Sequence, residues 1–106
     1  MKSIAESDWK ILREIKTVAL DRYCQKVLDE IARLAASDDG SVHKRYLELW
    51  NLLRGRDKDL GLAFDDLRRS NAWLRLAAMR RLDMLTEEEF QRFGPETRAA
   101  VELYLS

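Results

Sequence analysis

The chain has 106 residues, of which 46% are hydrophobic and 36% charged, and its 19 basic and 19 acidic side chains cancel to a net charge of zero. This size and composition indicate one globular domain, residues 1–106, and exclude a disordered chain. Because the charges balance, the chain lacks the net electrostatic field that is typical of proteins that bind nucleic acids or membranes. Only four glycines and one proline interrupt a sequence rich in helix-forming residues, so we expect an all-α fold.

The first predicted helix spans residues 8–36, where nothing breaks a helix. At 100° per residue it has two apolar faces, which meet near residue 19 without a Pro or Gly to cause a kink. Its two halves should therefore pack against different neighbours. A helix of this length measures roughly 44 Å, longer than a compact monomer, which predicts an elongated subunit that buries its leftover face in a homodimer. The candidate dimer face is Ile11, Ile15 and Val18.

A loop at residues 37–41 precedes the stretch from Ser41 to Leu85, which carries one amphipathic stripe. Because an unbroken helix here would exceed a compact domain, we expect a break near residues 55–57 and a weaker one near Ser70–Asn71. This gives predicted helices at 42–54 and 57–83. The stripe should be buried, with Asp57 and Asn71 as its two polar positions. Its apolar residues are Tyr46, Trp50, Leu53, Leu60, Phe64, Leu67, Leu74 and Ala78.

Two short helices are predicted at the C-terminal end, at 86–92 and 95–104. Thr86 and Glu89 have the spacing of a capping box, and Pro95 suits the first position of the last helix. The predicted architecture is an elongated four- to five-helix bundle built on two long antiparallel helical segments with two short C-terminal helices.

No residue pattern indicates catalysis, a cofactor or a metal. His43 lies in the first turn of a helix without a partner that would make it a general base, so we interpret it as a surface residue. Cys24 lies among apolar residues, typical of a small core side chain. Asp65 and Asp66 beside Arg68 and Arg69 have the spacing of helical ion pairs, although paired acids also occur at magnesium sites.

Arginines cluster in the second half of the chain and supply the candidate interaction surface, Arg68, Arg69, Asn71, Trp73 and Arg75. Arg and Trp are over-represented among residues that dominate binding energy. Asn71 either sets register on a buried seam or marks the start of a new helix.

We therefore expect a small helical protein of the cytoplasm that acts as a homodimeric protein-interaction or adaptor module. Its partners would be a second copy of itself and another protein. The alternative is a nucleic-acid-binding module that uses the basic helix face from Arg68 to Arg81. An enzyme built on His43 and the Asp65–Asp66 pair has the least support, since no nucleophile accompanies them.

Overall fold

A computed structural model describes residues 3–106 and shows five α-helices without strands in that part of the chain. They are α1 (Glu6–Ala36), α2 (Val42–Phe64), α3 (Ala72–Arg81), α4 (Glu87–Gln91) and α5 (Pro95–Leu105), with one turn of 3-10 helix at Arg69–Asn71. The molecule measures 52 × 24 × 23 Å, which confirms the elongated all-α architecture.

The long axis is set by a hairpin of α1 and α2, which pack against each other along their length. Ser41 begins α2 as predicted, because its hydroxyl accepts a hydrogen bond from the Lys44 N–H at 3.1 Å. Gly40 has φ +73°, a left-handed conformation that glycine adopts at little cost, and it lets the chain reverse between the two helices. We call this end of the molecule, residues 37–41, the tip.

The predicted break at residues 55–57 is wrong. α2 continues through Gly55 to Phe64, and the helix stops only at residues 65–68, where Asp66 takes a positive φ of 54°. A helix glycine costs about 1 kcal/mol, which is too little to end an otherwise favourable helix. The argument from a compact diameter also fails, because the hairpin projects from the rest of the chain. The helices predicted at 42–54 and 57–83 are therefore replaced by α2, the 3-10 turn and α3.

The hydrophobic core lies at the end of the molecule opposite the tip, which we call the base. There α3, α4 and α5 pack on the N-terminal half of α1, and α2 contributes Ala63 and Phe64, its only two buried residues. The other half of α1 pairs with α2, so the two halves do pack against different neighbours. The largest fully buried side chains of the core are Ile4, Leu12, Leu76, Met79, Met84, Phe90, Phe93 and Val101.

The two C-terminal helices form where the sequence predicts them. Thr86 Oγ1 accepts from the Glu89 N–H at 3.1 Å while Glu89 Oε1 accepts from the Thr86 N–H at 2.9 Å, which completes the capping box. Pro95 occupies the first turn of α5. Among the described residues, none of the helices combines the length and the apolar character that a bilayer crossing requires.

Candidate interaction surfaces

The predicted interaction residues lie where α2 gives way to α3. Asn71 directly precedes α3, and its side chain accepts from the Arg68 N–H at 2.9 Å and donates to the Asp66 carbonyl at 2.8 Å. Of the two interpretations of Asn71, the start of a new helix is confirmed. This geometry also corrects the helical ion pairs expected of Asp65 and Asp66, because the segment is not helical and Arg68 pairs with Asp66 instead.

Three members of this set hold the fold together. Arg69 donates to Glu6 Oε2 at 2.7 Å and to the Ile4 carbonyl at 3.1 Å, and so ties the start of α1 to the 3-10 turn. Arg75 donates to the Leu62 carbonyl at 2.8 Å. The indole N–H of Trp73 donates to Thr97 Oγ1 at 3.2 Å.

A cleft of about 310 Å³ opens beside this turn. Arg69, Asn71 and Trp73 line it, whereas Arg68 and Arg75 do not, so the structure brings together three of the five predicted residues. The exposed ring of Tyr104 and the exposed side chain of Leu74 complete an amphipathic wall. Because Glu6 already neutralises Arg69, the cleft offers an anion little attraction.

The basic helix face is also largely engaged within the chain. Arg80 pairs with Glu87 at 2.6 Å and lies over the Phe90 ring, 4.3 Å from its centroid. Arg81 donates to the Tyr104 carbonyl at 3.3 Å. A phosphate backbone would have to displace these partners, so the geometry gives no support to the nucleic-acid alternative.

The three residues predicted as a dimer face do not share an exposed surface. Ile15 is buried in the core and Ile11 packs against it, so Val18 alone is exposed, at 54%. The reason is that the base of the molecule folds back over this side of α1, where Glu14 pairs with Arg92 at 2.8 Å. Ile15 is therefore not available to a second copy in this fold.

An apolar surface that the sequence analysis expected to be buried lies exposed on the outer half of α2, so that expectation is wrong for Tyr46, Trp50 and Leu53. The predicted stripe is covered by the base only at its lower end, where Leu74 is still 50% exposed, while its upper end stays open to solvent. Val42, Tyr46, Trp50 and Leu53 are 73%, 67%, 53% and 39% exposed. Their spacing places them on one side of the helix. The signal in the sequence was the length of the stripe, which exceeds what the short C-terminal helices can cover.

Contacts between α1 and α2 show that α1 extends this surface. Tyr23 Oη donates to Asp59 Oδ2 at 3.4 Å, and Arg56 makes a bidentate pair with Glu30 at 2.9 and 3.2 Å. On a helical wheel at 100° per residue, the exposed α2 residues lie about 70–150° from the direction in which α2 contacts α1. A second apolar set, on α1, lies about 70–150° from the direction in which α1 contacts α2. Because the two helices are antiparallel, the two sets lie on the same side of the hairpin. We call this surface the hairpin face; it comprises Leu20, Cys24, Leu28 and Ile31 of α1, of which only Leu28 is exposed, at 59%, and Val42, Tyr46, Trp50 and Leu53 of α2.

The opposite side of the hairpin is polar and carries the base. Arg22 donates to the Met84 carbonyl at 3.2 Å and forms a bidentate pair with Glu89 at 2.6 and 3.0 Å. Lys26 Nζ lies 3.9 Å from Asp83 Oδ2. Since these contacts hold the base against one side, Leu28 and the four α2 residues of the hairpin face on the other side remain exposed.

The ion pair between Arg56 of α2 and Glu30 of α1 keeps its charges at neutral pH. The hydrogen bond from Arg56 lowers the pKa of Glu30 and raises that of Arg56 in turn. Burial raises the pKa of the Tyr23 phenol, and the charge of Asp59 adds to the effect. Both helices are thus fixed side by side, and this fixes the geometry of the hairpin face.

The remaining candidate residues take simple positions. His43 is exposed in the first turn of α2, as expected, whereas Cys24 is half-buried on the hairpin face instead of lying in the core. Across residues 3–106, no three metal-ligating side chains come close enough together to hold an ion. Comparison of the chain with models of known protein families, with curated proteins and with solved structures finds no match.

Proposed function

We propose that this chain is a homodimeric protein-interaction or adaptor module, and that the hairpin face binds the second copy. The observation that carries the proposal is the open apolar side of α2, where Tyr46 and Trp50 are more than half exposed. Large aromatic side chains are enriched among the residues that dominate interface energies, and they seldom stay in water without a role.

Electrostatics and redox chemistry agree with this proposal. A chain of zero net charge does not repel its own copies, so long-range forces do not oppose self-association. We place the module in the cytoplasm, where reducing conditions keep the half-buried thiol of Cys24 free. The cleft at the base lies away from the tip and leaves a separate surface for another protein, as an adaptor requires.

Light scattering after size-exclusion chromatography tests the proposal. The wild type should have about twice the subunit mass of 12.4 kDa at micromolar concentration. The variant Tyr46→Ser/Trp50→Ser should run as a monomer with an unchanged helical circular dichroism signal, because neither side chain contributes to the core. Leu103→Ser is the matched control, since Leu103 is 77% exposed on α5, away from the hairpin face. A wild-type monomer at the highest attainable concentration would refute the proposal.

A further inference from the structure

The hairpin face carries opposite charges at its two ends. Near the base, Arg13 continues the row of Leu20 and Cys24 along α1 at helical spacing, and its side chain is exposed. At the tip, Asp38 and Asp39 are both exposed. A second copy turned end to end across this face would therefore bring its acidic tip to the basic base of the first.

The centre of the face carries a second complementary pair. Arg54 follows Trp50 by four residues and Asp57 follows Leu53 by four, so both border the apolar strip, and both are exposed. In an antiparallel dimer, Arg54 of each copy faces the partner's Asp57. The pair forms twice because a two-fold axis relates the copies.

These two charge pairs require the same two-fold axis. A two-fold axis passes midway between two residues that contact each other across it. For Arg13 and Asp39 that midpoint is Lys26 of α1, and for Arg54 and Asp57 it falls at residues 55–56 of α2. The contacts Tyr23–Asp59 and Glu30–Arg56 put residue 26 level with residues 57–58 of α2. At 1.5 Å per residue the two axes agree within about 3 Å.

The area of this overlap matches that of a stable dimer. The overlap runs for about 39 Å from Arg13 to Asp39, but α2 lies beside α1 only from about residue 20, so it is about 20 Å wide over roughly 28 Å and about 10 Å wide over the rest. This gives roughly 650–700 Å² per copy, within the lower part of the range for a standard specific interface. In the opposite orientation, tip beside tip, the two acidic tips lie together and repel each other. Asp57 of one copy then lies next to the side of the other copy's α1 that carries Asp21, which again brings like charges together.

We infer that the second copy binds tip to base, so that two antiparallel hairpins form a four-helix bundle across the hairpin face. This inference rests on the proposed homodimer and adds its orientation and register. The partner's Asp38 and Asp39 contact Arg13, and Arg54 contacts the partner's Asp57, while Tyr46 and Trp50 lie in the apolar centre.

Distances between spin labels decide the orientation. The variant Cys24→Ala/Asp39→Cys carries one label per chain at the tip, and light scattering first confirms its mass. A tip-to-base dimer puts the two labels about 40 Å apart or more, because each tip lies beside the other copy's base. A dimer with labels closer than about 25 Å overturns this inference but leaves the homodimer intact, whereas a wild-type monomer overturns both.

A charge exchange tests the register without a label. Arg13→Glu and Asp39→Lys, made singly, should each weaken the dimer about three- to fivefold, and the double variant should restore it. Within one chain these two positions are about 39 Å apart along α1, so the rescue measures a contact between copies. Arg33→Glu is the matched control, since Arg33 is exposed on the opposite side of α1. Additive losses in the double variant would overturn the register.

Discussion

Thr97 on α5 donates a hydrogen bond to the carboxylate of Asp8 on α1 at 2.6 Å, across 89 residues of sequence, and both side chains are buried. Asp8 also accepts from the Gly94 N–H at 3.1 Å, so a residue of α1 caps the start of α5. Thr97 in turn accepts from the Trp73 indole. This chain of contacts fixes α1, α3 and α5 together at the base.

We expect Thr97→Val to lower the free energy of unfolding by about 1–3 kcal/mol at nearly the same side-chain volume, because the Trp73 indole N–H loses its acceptor and the buried Asp8 carboxylate keeps only the Gly94 N–H. Urea denaturation followed by circular dichroism measures the change. Thr17→Val is the matched control, since Thr17 is exposed on α1 and its loss should cost no more than about 0.5 kcal/mol. Equal effects at the two positions would contradict the assignment of the network.

Acid should weaken the contact between Arg22 and Glu89. The hydrogen bond from the Arg22 guanidinium lowers the pKa of Glu89 below its ordinary 4.5. A carboxylate with a lower pKa in the folded state adds stability that is complete above its unfolded pKa and disappears as the pH falls through its folded pKa. The free energy of unfolding should therefore drop between about pH 5 and pH 3.

Glu89→Gln should flatten that pH dependence and cost about 1–2 kcal/mol at pH 7, since glutamine keeps an acceptor for the Thr86 N–H but loses the charge. Denaturant titrations at several pH values measure both effects. Glu102→Gln serves as the control, because Glu102 is exposed on α5 and lies outside the contact between Arg22 and Glu89. An unchanged slope in Glu89→Gln would show that other carboxylates carry the acid sensitivity.

The features that the sequence predicted correctly depend on short-range signals. Thr86 and Glu89 are three residues apart, and Ser41 caps α2 through Lys44, so a reader of the sequence sees both partners of each bond. The hairpin face is different, because whether Trp50 is covered depends on how far the base reaches along α2. The periodicity shows that a stripe exists, but not which part of it the rest of the chain covers.

The helix continues through Gly55 although the sequence predicted a break there, and a substitution at Gly55 can test this. A Cβ at Gly55 would meet no atom within 4 Å, so Gly55→Ala should raise the free energy of unfolding by about 0.5–1 kcal/mol through helix propensity. Gly40→Ala, at φ +73°, should lower it by about 1 kcal/mol or more, because alanine is strained there. Thermal unfolding of both variants checks the pair. A loss of stability in Gly55→Ala would mean that α2 is broken where the sequence predicted.

The partners of the arginines lie far away in the sequence, which is why their structural role escaped prediction. Arg69 bonds to Glu6 and Ile4, more than 60 residues earlier, whereas the neighbouring Arg68 contacts only the local turn. Arginines that bind a partner and arginines that stabilise the fold look alike in the sequence, and only the structure distinguishes the two roles.

Arg69→Ala should therefore lower the free energy of unfolding by about 1 kcal/mol and speed hydrogen exchange in the first turn of α1, because it frees the chain around Glu6 from the 3-10 turn. Hydrogen exchange measured by mass spectrometry on peptides from the first ten residues checks this. Arg68→Ala is the matched control: its side chain is 64% exposed, and the Asn71 bond uses its backbone, so stability should change by no more than about 0.5 kcal/mol. If Arg68→Ala loosened α1 as much as Arg69→Ala, the clamp would not depend on the Arg69–Glu6 pair, and both arginines would again be candidates for a binding surface.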